Sequence, residues 1–212
     1  MSTRRLLTIL ALTMYSAFAI AQKDANAKKV LDATAAKLKA MKSVKTDFEV
    51  TTFIGLSDQG TSSGTIFLSG DKYFVDTPEL KTWFDGSTQW TYLSDTEEVN
   101  VSTPSKEEQA QSNPYAFVGL YRSGYNYTMT KTTLHGKQIY EVRLTAESKA
   151  SDIQEARIDV STDYIPVSVR IRQGKNNWTR IRISGLVKQK FDASTFKFDQ
   201  TKYPEAEIID LR

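Results

Sequence analysis

Of the residue types that carry acid–base, nucleophilic or metal chemistry, this chain of 212 residues holds one histidine and no cysteine. His135 sits in Leu134-His135-Gly136-Lys137, a stretch that reads as an exposed hairpin turn between two strands. One histidine without cysteine does not make a usual zinc set, and Ser–His catalysis would hang on that single turn residue. The adjacent acids Glu97-Glu98 and Glu107-Glu108 lie in polar contexts where neighbouring carboxylates face water. Neither the GxGxxG nor the P-loop spacing occurs. The inventory predicts no enzyme, no metal and no cofactor.

The other charged constellation is basic. In VSVRIRQGKNNWTRIRIS, Val167 to Ser184, period two places Arg170, Arg172, Arg180 and Arg182 on one side of two strands. Val169, Ile171, Ile181 and Ile183 then occupy the other, packed side. Glu141, Arg143, Glu155, Arg157 and Asp159 share this spacing on neighbouring segments, which would interleave acids with the bases. Two readings stay open: a solvated, salt-bridged face, or a docking surface for an acidic partner or anionic lipid headgroups. Nucleic acid is excluded by the charge balance. Removing residues 1–21, which hold two arginines and no acid, takes the formal charge from +3 to +1. Polyanion affinity rests on many phosphate contacts that such a chain cannot supply.

The elements that must position these residues begin with a leader. Arg4 and Arg5 precede an uncharged apolar run, Leu6 to Ile20, and Ala19-Ile20-Ala21 places small residues where a signal peptidase cuts. The expectation is a signal peptide over 1–21, cleaved after Ala21, and a single exported domain over 22–212. The apolar run is too short to span a bilayer comfortably. Without cysteine the chain offers no site for an N-terminal lipid anchor and no disulfide, so its core must stand alone.

Lys23 to Lys45 reads as one amphipathic helix capped by Asp24, with Ala27, Val30, Leu31, Thr34, Leu38 and Met41 on its apolar face. From Thr46 the period changes to two. Runs rich in β-branched and aromatic residues alternate with turn signals at Asp58-Gln59-Gly60, Gly70-Asp71, Thr77-Pro78 and Asp85-Gly86. Ser105 to Gln111 reads as a polar helical stretch, and Asn113-Pro114 opens a short apolar helix, YAFVGLY. Strands resume from Tyr125, and DASTFKF and AEIIDL read as a turn and two short terminal strands. The fold predicted is mainly β with helices (α+β): a half-open, curled antiparallel barrel of about 10–11 strands, capped by helices. Ile66-Phe67-Leu68 and Trp83-Phe84 are apolar on both faces, so both sides of those strands must be covered or must hold something apolar.

Four pieces in order resemble the LolA family of outer-membrane lipoprotein carriers. GTIFLSGDKYFV is followed by Thr-Pro, and DGSTQWTYLSDTEEV matches the family's Asp-Gly turn and Trp-x-Tyr strand at Asp85, Gly86, Trp90 and Tyr92. Asn113-Pro114 matches the start of its lid helix, and FDASTFKFDQTKYPEAEIIDL its closing segment at Phe196, Phe198, Pro204, Ile209 and Asp210. The family's usual Arg-Pro step, associated with lid closure, is replaced by Ser69-Gly70-Asp71-Lys72.

The resemblance implies a monomeric periplasmic carrier that takes acylated lipoproteins from an inner-membrane ABC transporter to an outer-membrane acceptor. A lipid or lipoprotein sensor on the same fold is the alternative. The expected acyl-chain wall is Phe53, Ile66, Leu68, Phe74, Trp83, Trp90 and Tyr92. The expected lid is Leu31, Leu38 and Met41 with Tyr115, Phe117 and Val118.

Overall fold

The computed structural model describes residues 23–105 and 116–212. Helix α1 runs over Ala25–Met41, and the Asp24 carboxylate caps it by accepting from the backbone N–H groups of Asn26 and Ala27. The helix stops four residues short of the predicted Lys45. Lys42 takes a positive φ of 59° and the chain turns directly into a strand, where Val44 and Thr46 are buried at period two.

Eleven strands follow in antiparallel pairing. They are β1 (Ser43–Ile54), β2 (Ser57–Ser69), β3 (Lys72–Asp76), β4 (Leu80–Phe84), β5 (Gln89–Leu93), β6 (Glu98–Ser102), β7 (Tyr125–Leu134), β8 (Lys137–Ala146), β9 (Ile153–Ser161), β10 (Pro166–Gln173) and β11 (Asn177–Lys188). A last strand, β12 (Glu207–Asp210), pairs parallel to β6. The spatial order is β12-β6-β5-β4-β3-β2-β1-β11-β10-β9-β8-β7, one curled open sheet in which two meanders join along the β1–β11 pair. Before β7 lies a 3-10 segment, Ala116–Arg122. The expected polar helix over Ser105–Gln111 falls, after Ser105, outside the described residues.

Two local expectations need correction. Asp58-Gln59-Gly60 is not the first hairpin turn; that turn is Gly55-Leu56, between the paired residues Ile54 and Ser57. Gly55 supplies the positive φ, 64°, that the two-residue turn requires. The Asp-Gln-Gly triplet instead makes a register shift inside β2, where the Asp58 carboxylate accepts the Gly60 N–H at 2.8 Å. The second correction is at the C-terminus. DASTFKF forms a 3-10 turn over Ala193–Phe196 rather than a strand, followed by another at Gln200–Lys202.

One face of the sheet carries α1 and both apolar clusters. The first cluster joins Ala27, Val30 and Leu31 of α1 to Tyr121, Tyr125, Tyr127, Val142, Leu144, Ile158 and Ile171. The second joins Val44, Ile66, Leu68, Tyr73 and Phe84, with Met41 packed on it. At 17 residues α1 is about 25 Å long, close to five strand spacings. That is the distance from edge strand β7, whose Tyr127 carbonyl accepts the Asp24 N–H at 3.0 Å, to β1. The helix therefore crosses half the sheet.

On the opposite, outer face the C-terminal segment is a strap. Phe67, Phe74 and Trp83 stack across β2, β3 and β4 with centroids 5.3 and 5.0 Å apart. Phe198 and Tyr203 pack edge-on to Trp83, Phe191 edge-on to Phe67, and Tyr203 on Tyr92. This strap is why strands β2 to β4 are apolar on both faces.

Candidate functional site

Because directly paired residues point the same way, register divides the seven expected wall residues between two faces. Ile66 and Leu68 lie on the helix face, buried in the second cluster. Phe74 pairs with Trp83, and Trp83 with Trp90, on the outer face; Tyr92 joins them through Tyr203. Phe53 is also on the outer face, under the Arg180 guanidinium, whose carbon is 5.1 Å from the ring centroid. The seven do not line one wall.

The apolar opening on the helix face is elsewhere. A cavity of about 1290 Å3 lies between the 116–122 segment and the β8–β9 and β10–β11 turns. Phe117, Leu120, Tyr125, Ile153 and Ile171 form its apolar side, and all five belong to or pack on the first cluster. Lys149 and Lys175 stand on the turns at its rim. Burial raises the Tyr125 phenol above its ordinary pKa, and its hydroxyl donates to the Ile153 carbonyl at 3.0 Å. Of these residues only Phe117 and the packed face of Ile171 were legible beforehand. Tyr125 carried a weak signal, as the first residue of an apolar-alternating strand, and Ile153 none.

Apart from Tyr115, the residues expected to form the lid lie in α1 and in the 116–122 segment. Leu31 is fully buried in the first cluster, Met41 packs on the second, Leu38 is half-buried, and Val118 is buried. Phe117 lines the cavity. Tyr115 lies outside the described residues. What ties the 116–122 segment to α1 is a polar contact that sequence reading missed: the Tyr121 hydroxyl donates to Asp32, which also takes Lys28 at 2.7 Å. Those two hydrogen bonds, from Lys28 first and then Tyr121, hold the Asp32 carboxyl below its ordinary pKa.

The four arginines read from Val167–Ser184 share the outer face, and two of them belong to a longer row across the sheet. Arg170 pairs with Arg180, Arg157 with Arg170, and Arg143 with Arg157, so four guanidiniums stand in register across β8 to β11. Like charges directly opposite repel. Carboxylates offset the repulsion for three of them. Glu155 takes Arg143 at 2.9 Å and Arg157 at 2.8 Å, with Arg172 at 3.7 Å; Glu141 takes Arg170 at 2.6 Å. Arg182 pairs with Glu49 at 2.9 Å. Burial pushes the Glu155 carboxyl up, but the hydrogen bonds from Arg157 and Arg143 outweigh it and hold the group below its ordinary pKa. Asp159 differs: burial raises it, and Arg170 at 3.7 Å does not compensate.

His135 takes a φ of 48° in the exposed β7–β8 turn. Among the described residues, no group of three or more His, Cys, Asp or Glu is placed to hold a metal ion.

Residues 15–175 match the family described as outer membrane lipoprotein carrier protein LolA. Among curated proteins none matches the sequence. Among solved structures, a conserved uncharacterised protein from Thermus thermophilus aligns over 87% of this chain and 99% of its own, with TM-score 0.59 at 9% identity. The lipoprotein LppX of Mycobacterium tuberculosis aligns over 80% of this chain and 99% of its own, with TM-score 0.50 at 11% identity. At such identities the likeness is one of fold.

Proposed function

Since the chain belongs to the family described as outer membrane lipoprotein carrier protein LolA, we propose that it is an exported, non-enzymatic carrier that hides the acyl chains of lipoproteins from water. In this reading residues 1–21 are a cleaved leader, the mature domain works in the periplasm, and cargo passes from an inner-membrane ABC transporter to an outer-membrane acceptor.

The observation that carries the proposal is the helix-face cavity. Its volume of about 1290 Å3 exceeds the roughly 300–1,000 Å3 usual for small-molecule pockets. It has an apolar side of two aromatic and three aliphatic side chains, and its charged lining is three bases, Lys149, Arg172 and Lys175, to one acid, Asp152. Burying a sixteen-carbon chain is worth on the order of 12 kcal/mol at about 0.8 kcal/mol per CH2. An apolar wall supplies that without specific hydrogen bonds. The wall assigned here is Phe117, Leu120, Tyr125, Ile153 and Ile171.

The test is native mass spectrometry and lipid extraction on protein purified gently from its own periplasm, followed by acyl-probe uptake by the stripped protein. Leu120 and Phe117 are only half-buried, so Leu120→Glu and Phe117→Ser should keep the parent's circular dichroism while losing uptake. Full uptake by both variants would overturn the cavity assignment. A lipid that co-purifies only with a signalling partner would favour a sensor over a carrier.

A further inference from the structure

A second pocket, of about 320 Å3, lies on the outer face and is lined by Phe53, Leu56, Arg157, Arg170, Trp178 and Arg180 among others. Three members of the arginine row converge there. Arg180 is the one member of that row without a carboxylate among the described residues: its hydrogen bond is to the Thr51 hydroxyl at 3.2 Å. The Nε atoms of Arg170 and Arg180 are buried without a hydrogen-bond partner. Two rings flank the charges, with the Arg157 and Arg172 guanidiniums 5.6 and 5.8 Å from the Trp178 ring and that of Arg180 5.1 Å from Phe53. Arg157 and Arg170 have carboxylate partners, but the orphaned Nε of Arg180, on a guanidinium with none, calls for an anion.

The same pocket carries an apolar tip. Leu56, in the Gly55-Leu56 turn, is wholly exposed. A free anion would use the guanidiniums and leave that tip in water. A bilayer surface uses both, since aliphatic tips enter the acyl boundary while Trp and Arg settle at headgroup depth. The position of the tip adds a reason. The Gly55 N–H donates to the Asn176 carbonyl at 2.9 Å, so the β1–β2 turn is bonded to the β10–β11 turn that also borders the helix-face cavity. Both pockets open at one end of the sheet.

We propose that this end is a membrane-docking surface: Arg180, with Arg170 and Arg157, holds the phosphate of an anionic phospholipid headgroup, and Leu56 inserts beside it. Contact then sets the cavity mouth, with Lys149 and Lys175, against the bilayer. Only that last consequence rests on the carrier reading; the docking itself does not.

The experiment is flotation of the stripped, full-length mature domain with vesicles of phosphatidylcholine alone or containing phosphatidylglycerol. The parent should float with the anionic vesicles, less so as salt rises, and not with phosphatidylcholine alone. Arg180→Gln should weaken the partition about fivefold, the worth of one basic contact at a membrane surface. Leu56→Ser should weaken it about tenfold. Both variants should take up an acyl probe as the parent does. Flotation unchanged by both substitutions, or equal on neutral vesicles, would overturn the proposal. So would complete competition by inorganic phosphate with Leu56→Ser silent, which would make the pocket a free-anion site. A parent that floats but takes up no probe would instead sink the carrier reading and leave the docking surface standing.

Discussion

Replacing Tyr121 by phenylalanine should loosen the 116–122 segment without unfolding the protein. The ring is 5% exposed and sits in the first cluster, edge-on to Tyr127 at 6.0 Å, so Phe keeps the packing and removes one hydroxyl. What is lost is the hydrogen bond to the Asp32 carboxylate, the polar tie between this segment and α1. Hydrogen bonds to charged groups contribute roughly 1.5–3 kcal/mol. The Asp32 side chain is 49% exposed and water will take the vacated site, which puts the loss at the low end, about 1.5 kcal/mol. That is about a tenfold rise in the population of the locally open state. Hydrogen exchange read on peptides over 116–122 should quicken by that factor, while exchange in β9 and β10 stays as in the parent. The wild-type tie is also pH-dependent. Asp32 titrates below its ordinary value when folded, so the stabilisation is complete above the ordinary carboxylate range and fades as pH falls through the lowered value. Tyr121→Phe should flatten that acid dependence. Unchanged exchange over 116–122, or a loss spread evenly over the sheet, would refute the reasoning.

Two further predictions separate charge from burial. Glu155→Gln should cost about 2 kcal/mol in a denaturant melt near neutral pH, because it strips the partner of Arg143 and Arg157, discounted for the half-exposure of Arg143. Asp159→Asn should be neutral or stabilising in the same melt. Burial raises that carboxyl when folded, so its cost is present above the raised value and is relieved as pH falls through it. Gly64→Ala should lower Tm by roughly 5 °C, since a Cβ there would meet the Asp76 carbonyl oxygen at 2.3 Å and Thr77 Cγ2 at 2.8 Å. Because Asp76 is backbone in the neighbouring strand, it cannot swing aside.

The Ser69-Gly70-Asp71-Lys72 stretch, which stands in place of the Arg-Pro step expected from the resemblance, lies at the β2–β3 turn. The observed tie between the helical elements is instead made at the other meander, by Asp32 and Tyr121. A tyrosine three residues past the expected lid apolars gave no sequence signal, because its partner is 89 residues away.

Much of the architecture was written locally. Period two placed Val169, Ile171, Ile181 and Ile183 on the packed side and the arginines opposite, and all four apolar residues are buried. Asp24, the helix face from Ala27 to Thr34, and the Gly70-Asp71 and His135-Gly136 turns were legible from propensity and spacing alone. These are decisions made within one element. The site depended on pairings between distant ones. The β2–β3 register puts Phe74 opposite Phe67 and so on the other face from Leu68, and in strands apolar on both sides alternation cannot say which side takes the helix. That was decided by α1, long enough to cross from β7 to β1, and by the closing segment, whose Phe191, Phe198 and Tyr203 claim the outer face instead. The arginines follow the same logic. Along the chain they are two neighbouring pairs; only the register of β8 to β11 sets Arg143, Arg157, Arg170 and Arg180 in one row. Side-chain direction is a property of the strand, whereas neighbours across a sheet are a property of the fold.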